Sequence, residues 1–545
     1  MKKLIACIAL AAVCLALLAV YRGSLPEEKA EVPVPTEVTV EDEDKVQAYR
    51  QYTSITLSDA GSTTDSSFVS VEESGVVINR SGHYRLTGSL SSGMVIVNAQ
   101  DNGTVVVILD GASVHADNCA ALYILSNNKT ILNLAEGSEN SLSSSGEFVS
   151  IDTNHIDGTV FAKSDLVING SGSLTVSSDA GHGIVCKDAL VFTGGKLNIT
   201  AEKKGISAND GIAFTDADIQ IKSGTSGIHT GNSDDTAFGD ILIYSGNFDI
   251  DSDGDCIHSN NYFWLFDGTL TLSSGDDGIH ADRTLYIEGG TADITESYEG
   301  LEGNKVEISG GEITITASDD GINSSGGSDG FFPGFNTDVF KDNEETDEDE
   351  GILISGGVIR INANGDGVDS NTVLTVTGGE LFVDGPVNSA NGPLDAEHSA
   401  SVSGGRVLAI GSAGMAINFG SGSTQGSILY FLPSNQPAGT VISLSDAVGN
   451  ELIRHTSAKA FQAVTVSCPE ITAGKTYTLT VGSSSYEIEM TSLIYGEGYS
   501  FGFGGPGGPG GNPGWPGGQD GNPPEIPEGG PENGPGGPGG PPGRR

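Results

Sequence analysis

The stretch SSGDDGIHADRTLYIEGGTADI, residues 273–294, holds two glycine signals and three short alternating runs. Variants of its first half recur as SDGDCIHSN at 252–260, ASDDGINSS at 317–325 and ANGDGVDSN at 363–371. The residue before the apolar position is Gly183, Gly205, Gly227, Cys256, Gly278, Gly300, Gly321, Gly367, Pro393 and Gly414 in successive copies. The steps are 22, 22, 29, 22, 22, 21, 46, 26 and 21 residues. A second marker, usually Gly-Gly, falls at Gly195, Ala217, Gly246, Gly268, Gly290, Gly311, Gly357, Gly379 and Gly405. It lengthens in the same places, so two independent markers share one period.

The runs within one period are Ile279 with its neighbours, Leu285–Ile287 and Ala292–Ile294. Alternation over three or four residues, with Gly, Asn and Asp between, reads as strand and turn. Three strands and three turns in 22 residues predict one coil of a right-handed parallel β-helix. Coils would stack ~4.8 Å apart, the parallel strand spacing. Ile287, Ile308, Ile354 and Val376 then form an internal column. A propeller is excluded, because its blades need about 40 residues each.

Earlier alternating runs at Val105–Leu109, Ile131–Leu134 and Leu166–Ile168 place the first coils near residue 85, and the repeat fades after Asn418. The expected order is a signal peptide or signal anchor at 1–23, a Pro/Glu-rich linker at 24–50 and the β-helix at 51–426. A small β cap or sandwich follows at 427–495, then a Gly/Pro-rich tail at 496–545 that holds too few large apolar residues to build a core. The first 20 residues have two lysines followed by an apolar run, the pattern of an export signal. The expected location is therefore extracellular or on the cell surface, with membrane contact only through that segment. Cys14 follows a poor lipobox, with Val13 where a small residue belongs. Cys119, Cys186, Cys256 and Cys468 are too dispersed for a disulfide framework and read as small buried hydrophobes.

Formal net charge is −47, from 72 acidic and 25 basic residues. Nucleic acid is a poor partner for such a chain; cations, or neutral and cation-bridged polymers, suit it better. Aligned on the glycine column, the preceding position reads His182, Lys204, Ser226, Asp255, Asp277, Glu299, Asp320, Asp366. Two positions after the glycine stand His229, His258, His280, Glu302, Asn323, Asp369 and Asp395; four after it come Asn209, Asn260, Asp282, Asn304 and Asn371. The glycine itself is expected in a left-handed turn, and the Asn column as a ladder bonding its own backbone.

Carboxylates repeating every ~4.8 Å on neighbouring parallel strands repel one another. A calcium ion, bonded at about 2.3–2.6 Å to oxygens on either side, relieves such a gap. The metal candidates are Asp253, Asp255, Asp276, Asp277, Glu299, Glu302, Asp319, Asp320, Asp366 and Asp369. Their hard oxygen donors favour Ca²⁺ over Zn²⁺. His258 and His280 do not suit calcium and are assigned, with Arg283, to sugar contacts.

Phe263 and Leu265 take the inward places that match Leu285 and Ile287, so Tyr262, Trp264 and Phe266 face outward beside Tyr244 and Tyr286. Exposed aromatics on a flat sheet offer a stacking platform for sugar rings. The insertion at 324–350, with Phe331, Phe332 and Phe335, either covers that platform or extends it.

The Gly-Ile-His/Asn and Gly-Gly coil repeats, the export signal and the Gly/Pro-rich tail resemble the clostridial secreted carbohydrate-binding β-helix family. The resemblance covers roughly residues 50–495. It implies binding of cellulose and pectin-type polymers, bound calcium and a fold similar to that of β-helical pectate lyases. A calcium-dependent lyase would in addition need a Lys or Arg base near the acids. Lys203 and Lys204 stand two to three coils away, ~10–15 Å by stacking distance, Arg283 is nearer, and Arg360 lies on another strand. None sits in a recognisable lyase motif. The reading is a monomeric, non-catalytic polysaccharide binder, with the lyase and a structural adhesin as its rivals.

Overall fold

The computed structural model describes residues 38–47, 49–231, 238–324, 350–420 and 422–496. The export segment, most of the insertion with its three phenylalanines, and nearly all of the tail lie outside the described residues. The described residues are all-β, in one large sheet system and a four-stranded sheet.

Successive strands join three parallel ladders in turn. One ladder runs through His182–Cys186, Ile206–Ala208, Ile228–Thr230 and Ile257–Ser259 to the start of Ile279–Ile287. A second holds Asp240–Ile243 and Phe263–Leu265, and continues into the end of Ile279–Ile287. The third follows the Gly-Gly marker through Gly246–Ser252, Thr269–Ser274, Thr291–Ser297 and Glu312–Ala317. Alternation sends Ile279, Leu285, Ile287, Leu270, Leu272 and Ile294 into one continuous apolar core.

Two expectations change. Thr53–Leu57 already pairs in parallel with Gly82–Leu90, so ladder pairing starts ahead of residue 85, where the alternating runs put the first coils, and agrees with the boundary expected at 51. Hairpin pairing between Val69–Glu72 and Gly75–Ile78 masks the period there. The column glycine is also not a left-handed turn. Gly278 has no positive φ, but a Cβ there would lie 2.6 Å from the Gly300 carbonyl oxygen and 2.8 Å from Ile294 Cγ2. The left-handed positions belong to the other marker, as at Gly290 with φ 74°.

Part of the expected linker packs on the second ladder. Val38 is buried with Val106, Ile108, Val167 and Leu242. The Asp44 carbonyl accepts from Asn169 Nδ2 at 2.9 Å and from the Thr193 hydroxyl. Lys129 Nζ lies 3.0, 3.3 and 3.4 Å from Asp44, Glu41 and Glu43, so an ammonium already pairs with that acidic group and offsets one of its three charges. At the other end, Ser399–Gly411 changes to antiparallel pairing with Phe461–Ser467, which also pairs with Ser427–Gln436. Phe382, Leu408 and Ile410 of the last coils share a core with Ile442, Leu444, Phe461 and Leu479. Residues 427–495 therefore close the end of the stack rather than standing apart from it.

Candidate functional site

The turn before the first ladder forms the acidic edge, and its acids have a scaffold task. One oxygen of Asp255 accepts from the Asp277 backbone N–H at 3.2 Å, and one of Asp320 from the Asp366 N–H at 2.5 Å. Asp366 accepts from the Gly392 N–H, and His182 Nδ1 from the Lys204 N–H at 3.2 Å. The side chain of this column thus ties down the backbone of the next coil, as buried donors require. The second carboxylate oxygen remains for other partners.

Between Asp255 and Glu302 those partners are imidazoles. His258 and His280 are in register, with rings stacked 4.5 Å apart at 10°. His258 Nδ1 lies 2.8 Å from Asp255; His280 Nδ1 lies 3.1 Å from Asp277 and 2.6 Å from Glu302. Both Nε2 atoms approach Oδ1 of Asp282, at 3.2 and 3.3 Å. Burial works against the His280 charge, but hydrogen bonds and charge from Asp277, Asp282 and Glu302 outweigh it and push the pKa up to about 12. Burial, with Glu302 and Asp255 nearby, pushes Asp277 up to about 8. Asp282 is held well below the usual carboxylate range by the two histidines, against the opposing effect of burial.

Further along, no imidazole faces the acids among the described residues. Oxygens of Asp320, Asp366 and Asp369 lie within 4.8 Å of one another. Burial first, and then repulsion from neighbouring acids, pushes Asp320 up to about 7, Asp366 to about 8 and Asp369 to about 6; Asp369 repels the first two, while Asp369 itself is repelled by Asp395, Glu397 and Asp319. Asn323 lies in register between Glu302 and Asp369. Its Nδ2 donates to Glu299 at 2.8 Å, while its buried Oδ1 has no hydrogen-bond partner. A hard cation fits that set of oxygens and would relieve both the repulsion and the orphaned acceptor.

The predicted metal residues therefore divide. Asp320, Asp366 and Asp369 converge, and so do Asp255, Asp276 and Asp277. Glu302 and Asp277 meet His280, Glu299 holds Asn323, and Asp253 and Asp319 join no such group. Asp282 was absent from the predicted set. It sits two residues after His280, on the same side of the strand, in a column that otherwise reads as asparagine.

The aromatic platform needs correction. Trp264 and Tyr286 face away from the main core, yet they are only 3% and 6% exposed. Their rings stack on each other at 3.9 Å, and Phe266 stacks on Trp264 at 5.5 Å. Stacking on neighbouring rungs buries these faces, so neither ring is free for sugar. Tyr244 is 37% exposed and lies flat on Phe266 at 4.9 Å and 4°; Tyr262 and Phe266 are partly exposed. Arg283 sits over Tyr262 at 6.0 Å, apart from the acids. Toward the other end of the edge, burial pulls Lys204 down to about 8.

Comparison with known proteins covers part of this region. Residues 72–329 match the model of a family described as carbohydrate-binding domain-containing protein. A curated relative of the same description, from Acetivibrio thermocellus, is 30% identical over 135 residues, 24% of this chain and 47% of the relative. The match thus spans about half of that relative's length. A solved structure described as a polysaccharide lyase-like protein from C. thermocellum aligns with a TM-score of 0.42 at 25% identity, covering 44% of this chain and 97% of its own. Over residues 72–329 the chain is thus similar to a family described as carbohydrate-binding, with a curated relative from a clostridial organism, in keeping with the resemblance carried by the coil repeats.

Proposed function

We propose that the protein is an exported, non-catalytic polysaccharide binder that uses calcium, built as a right-handed parallel β-helix and acting as a monomer outside the cell. The observation that carries the reading is the family match over 72–329, which includes the histidine-backed acids and the aromatic stack. Three parallel ladders, each extended once per circuit, support the helix. Cellulose and pectin-type polymers are the proposed ligands, with Tyr244, Phe266 and Tyr262 as the remaining ring surface and His258, His280 and Arg283 beside it. Asp320, Asp366 and Asp369, with Asn323 Oδ1, are the residues proposed to hold calcium. Bound there, the ion supplies positive charge among acids that would otherwise take up protons or repel.

The test is retention on insoluble cellulose and on pectate gel, with calcium and with chelator. Retention of the intact chain on at least one polymer is expected; no retention on either would discard the reading in favour of a structural adhesin. Trp264→Ala does not serve as a binding variant, because emptying a buried ring site costs about 3–5 kcal/mol of stability.

Lys204 favours a second reading. An amine near pKa 8 on the column of the acidic edge is suited to proton abstraction in β-elimination. Incubation with polygalacturonate and calcium, followed by ultraviolet absorbance of the unsaturated product, separates the two. Product formation that is lost in Lys204→Met would establish the lyase.

A further inference from the structure

We propose that His258, His280 and Asp282 form a second cation site, distinct in chemistry from the calcium site, for a borderline divalent transition-metal ion such as Zn²⁺. The argument starts from the two imidazoles. Each has its Nδ1 held by a carboxylate behind it: His258 by Asp255 at 2.8 Å, His280 by Glu302 at 2.6 Å and Asp277 at 3.1 Å. A carboxylate–histidine pair of this kind fixes ring orientation and tautomer, and it leaves Nε2 as the donor. Both Nε2 atoms then point to one oxygen, Asp282 Oδ1, at 3.2 and 3.3 Å.

Those two separations have the right size. Bonds of 2.0–2.1 Å at the tetrahedral angle place donor atoms ~3.3 Å apart. The rings are 4.5 Å apart and nearly parallel, and the three donor atoms lie within 4.8 Å of one another, so the two imidazoles must tilt together on binding to close the third edge. The donor set is two nitrogens and one oxygen, which selects zinc, cobalt or nickel over calcium. The Asp282 side chain is 43% exposed, so the remaining coordination positions face solvent and are open to water or a saccharide oxygen. On binding, each Nε2 gives up any proton it carries to solvent and donates its lone pair to the ion.

Acids from the same two sequence columns serve differently in the two sites. Asp255, Asp277 and Glu302 orient imidazoles here, whereas Asp320, Asp366 and Asp369 would touch calcium directly. The proposal therefore stands or falls without the calcium reading.

The experiment uses the full chain, stripped with chelator, returned to buffer with excess calcium, and titrated with zinc chloride by calorimetry. Cobalt(II) chloride is followed in parallel by visible absorption. One zinc equivalent bound in the presence of calcium is expected, with cobalt bands of mixed nitrogen–oxygen coordination. Asp282→Asn and the double variant His258→Gln/His280→Gln should each weaken zinc by at least ~100-fold. Asp255→Asn, behind His258, should weaken it by about 10–100-fold, and Asp320→Asn by less than twofold. Asp282 is exposed, so loss of zinc in an Asp282→Asn protein that melts like the parent belongs to the site and not to the fold. No zinc bound against calcium would overturn the proposal. So would zinc binding that survives the double histidine variant, since the ion would then sit on carboxylates alone.

Discussion

Two halves of one edge have the same backbone and different chemistry. From Asp255 to Glu302, Asp255, Asp277, Asp282 and Glu302 face His258 and His280. The histidines hold Asp255 and Asp282 below the usual carboxylate range, while burial still pushes Asp277 up to about 8 and Glu299, which faces Asn323, to about 9. From Asp320 to Asp369 the coil positions are the same, but the column two after the glycine carries Asn323 and Asp369. There the acids face one another, and their pKa values rise to about 6–8. The difference teaches that the repeat sets where charge is placed, while one outward column decides what neutralises it. Without added metal, imidazoles face the acids of the first half, and the proposed calcium would take that place in the second.

The largest effect expected from breaking this comparison is removal of an imidazole. His280→Gln leaves Asp277 and Glu302 buried without their partner, and breaking a buried pair costs about 3–5 kcal/mol. Chemical denaturation at neutral pH should show that loss whether or not calcium is present. A loss abolished by calcium would mean that the two halves share one cation and are not distinct.

The second effect belongs to the oxygen half. Asp320, Asp366 and Asp369 have folded pKa values raised above the ordinary carboxylate value near 3.8. The folded state therefore binds more protons, and metal-free stability falls as pH rises from about 4 to about 8. Calcium should remove that fall. At a hundredfold excess over its Kd it should add ~2.7 kcal/mol at pH 8, and much less at pH 5, where protons compete. Melting curves with calcium and with chelator at the two pH values measure it; an equal shift at both would place calcium elsewhere.

A smaller effect has the opposite sign to the first. Asp369→Asn removes one of three clustered like charges, so metal-free protein at pH 8 should gain ~1 kcal/mol. The same variant should lose its calcium response. Destabilisation of the metal-free protein would mean that Asp369 has a structural partner and that repulsion does not govern this half.

How much of this was legible depended on what repeats. The 22-residue period fixed the ladder positions of Ile279, Leu285 and Ile294, and it put Asp255, Asp277, Asp320 and Asp366 in one column. It did not separate a glycine needed for close approach, Gly278, from one needed for positive φ, Gly290, because both leave the same letter. Burial of Trp264 was not legible either. Outward direction follows from alternation, but exposure depends on Tyr286 and Phe266 closing over the ring. Asp282 was missed because its meaning comes from His258, 24 residues earlier and one rung away.

The smallest effect concerns the polymer itself and separates the halves by function. The partly exposed rings Tyr262 and Phe266 lie on the circuit that carries His258, and Tyr244 on the one before it with His229, not on those of Asp366 and Asp369. Tyr244 is the most open of them and rests flat on Phe266, so Tyr244→Ala removes a sugar-stacking face without emptying the core. A stacked ring contact is worth ~0.5–1.5 kcal/mol, so retention on cellulose or pectate should fall by a factor of about two to ten. The melting temperature and the calcium shift should both stay at their parental values. Unchanged retention in Tyr244→Ala, together with loss in Asp369→Asn, would move polymer binding to the oxygen half. There the ligand would be held by an ion bridging its carboxylates to those of the protein, and only an acidic polymer such as pectate would remain a candidate.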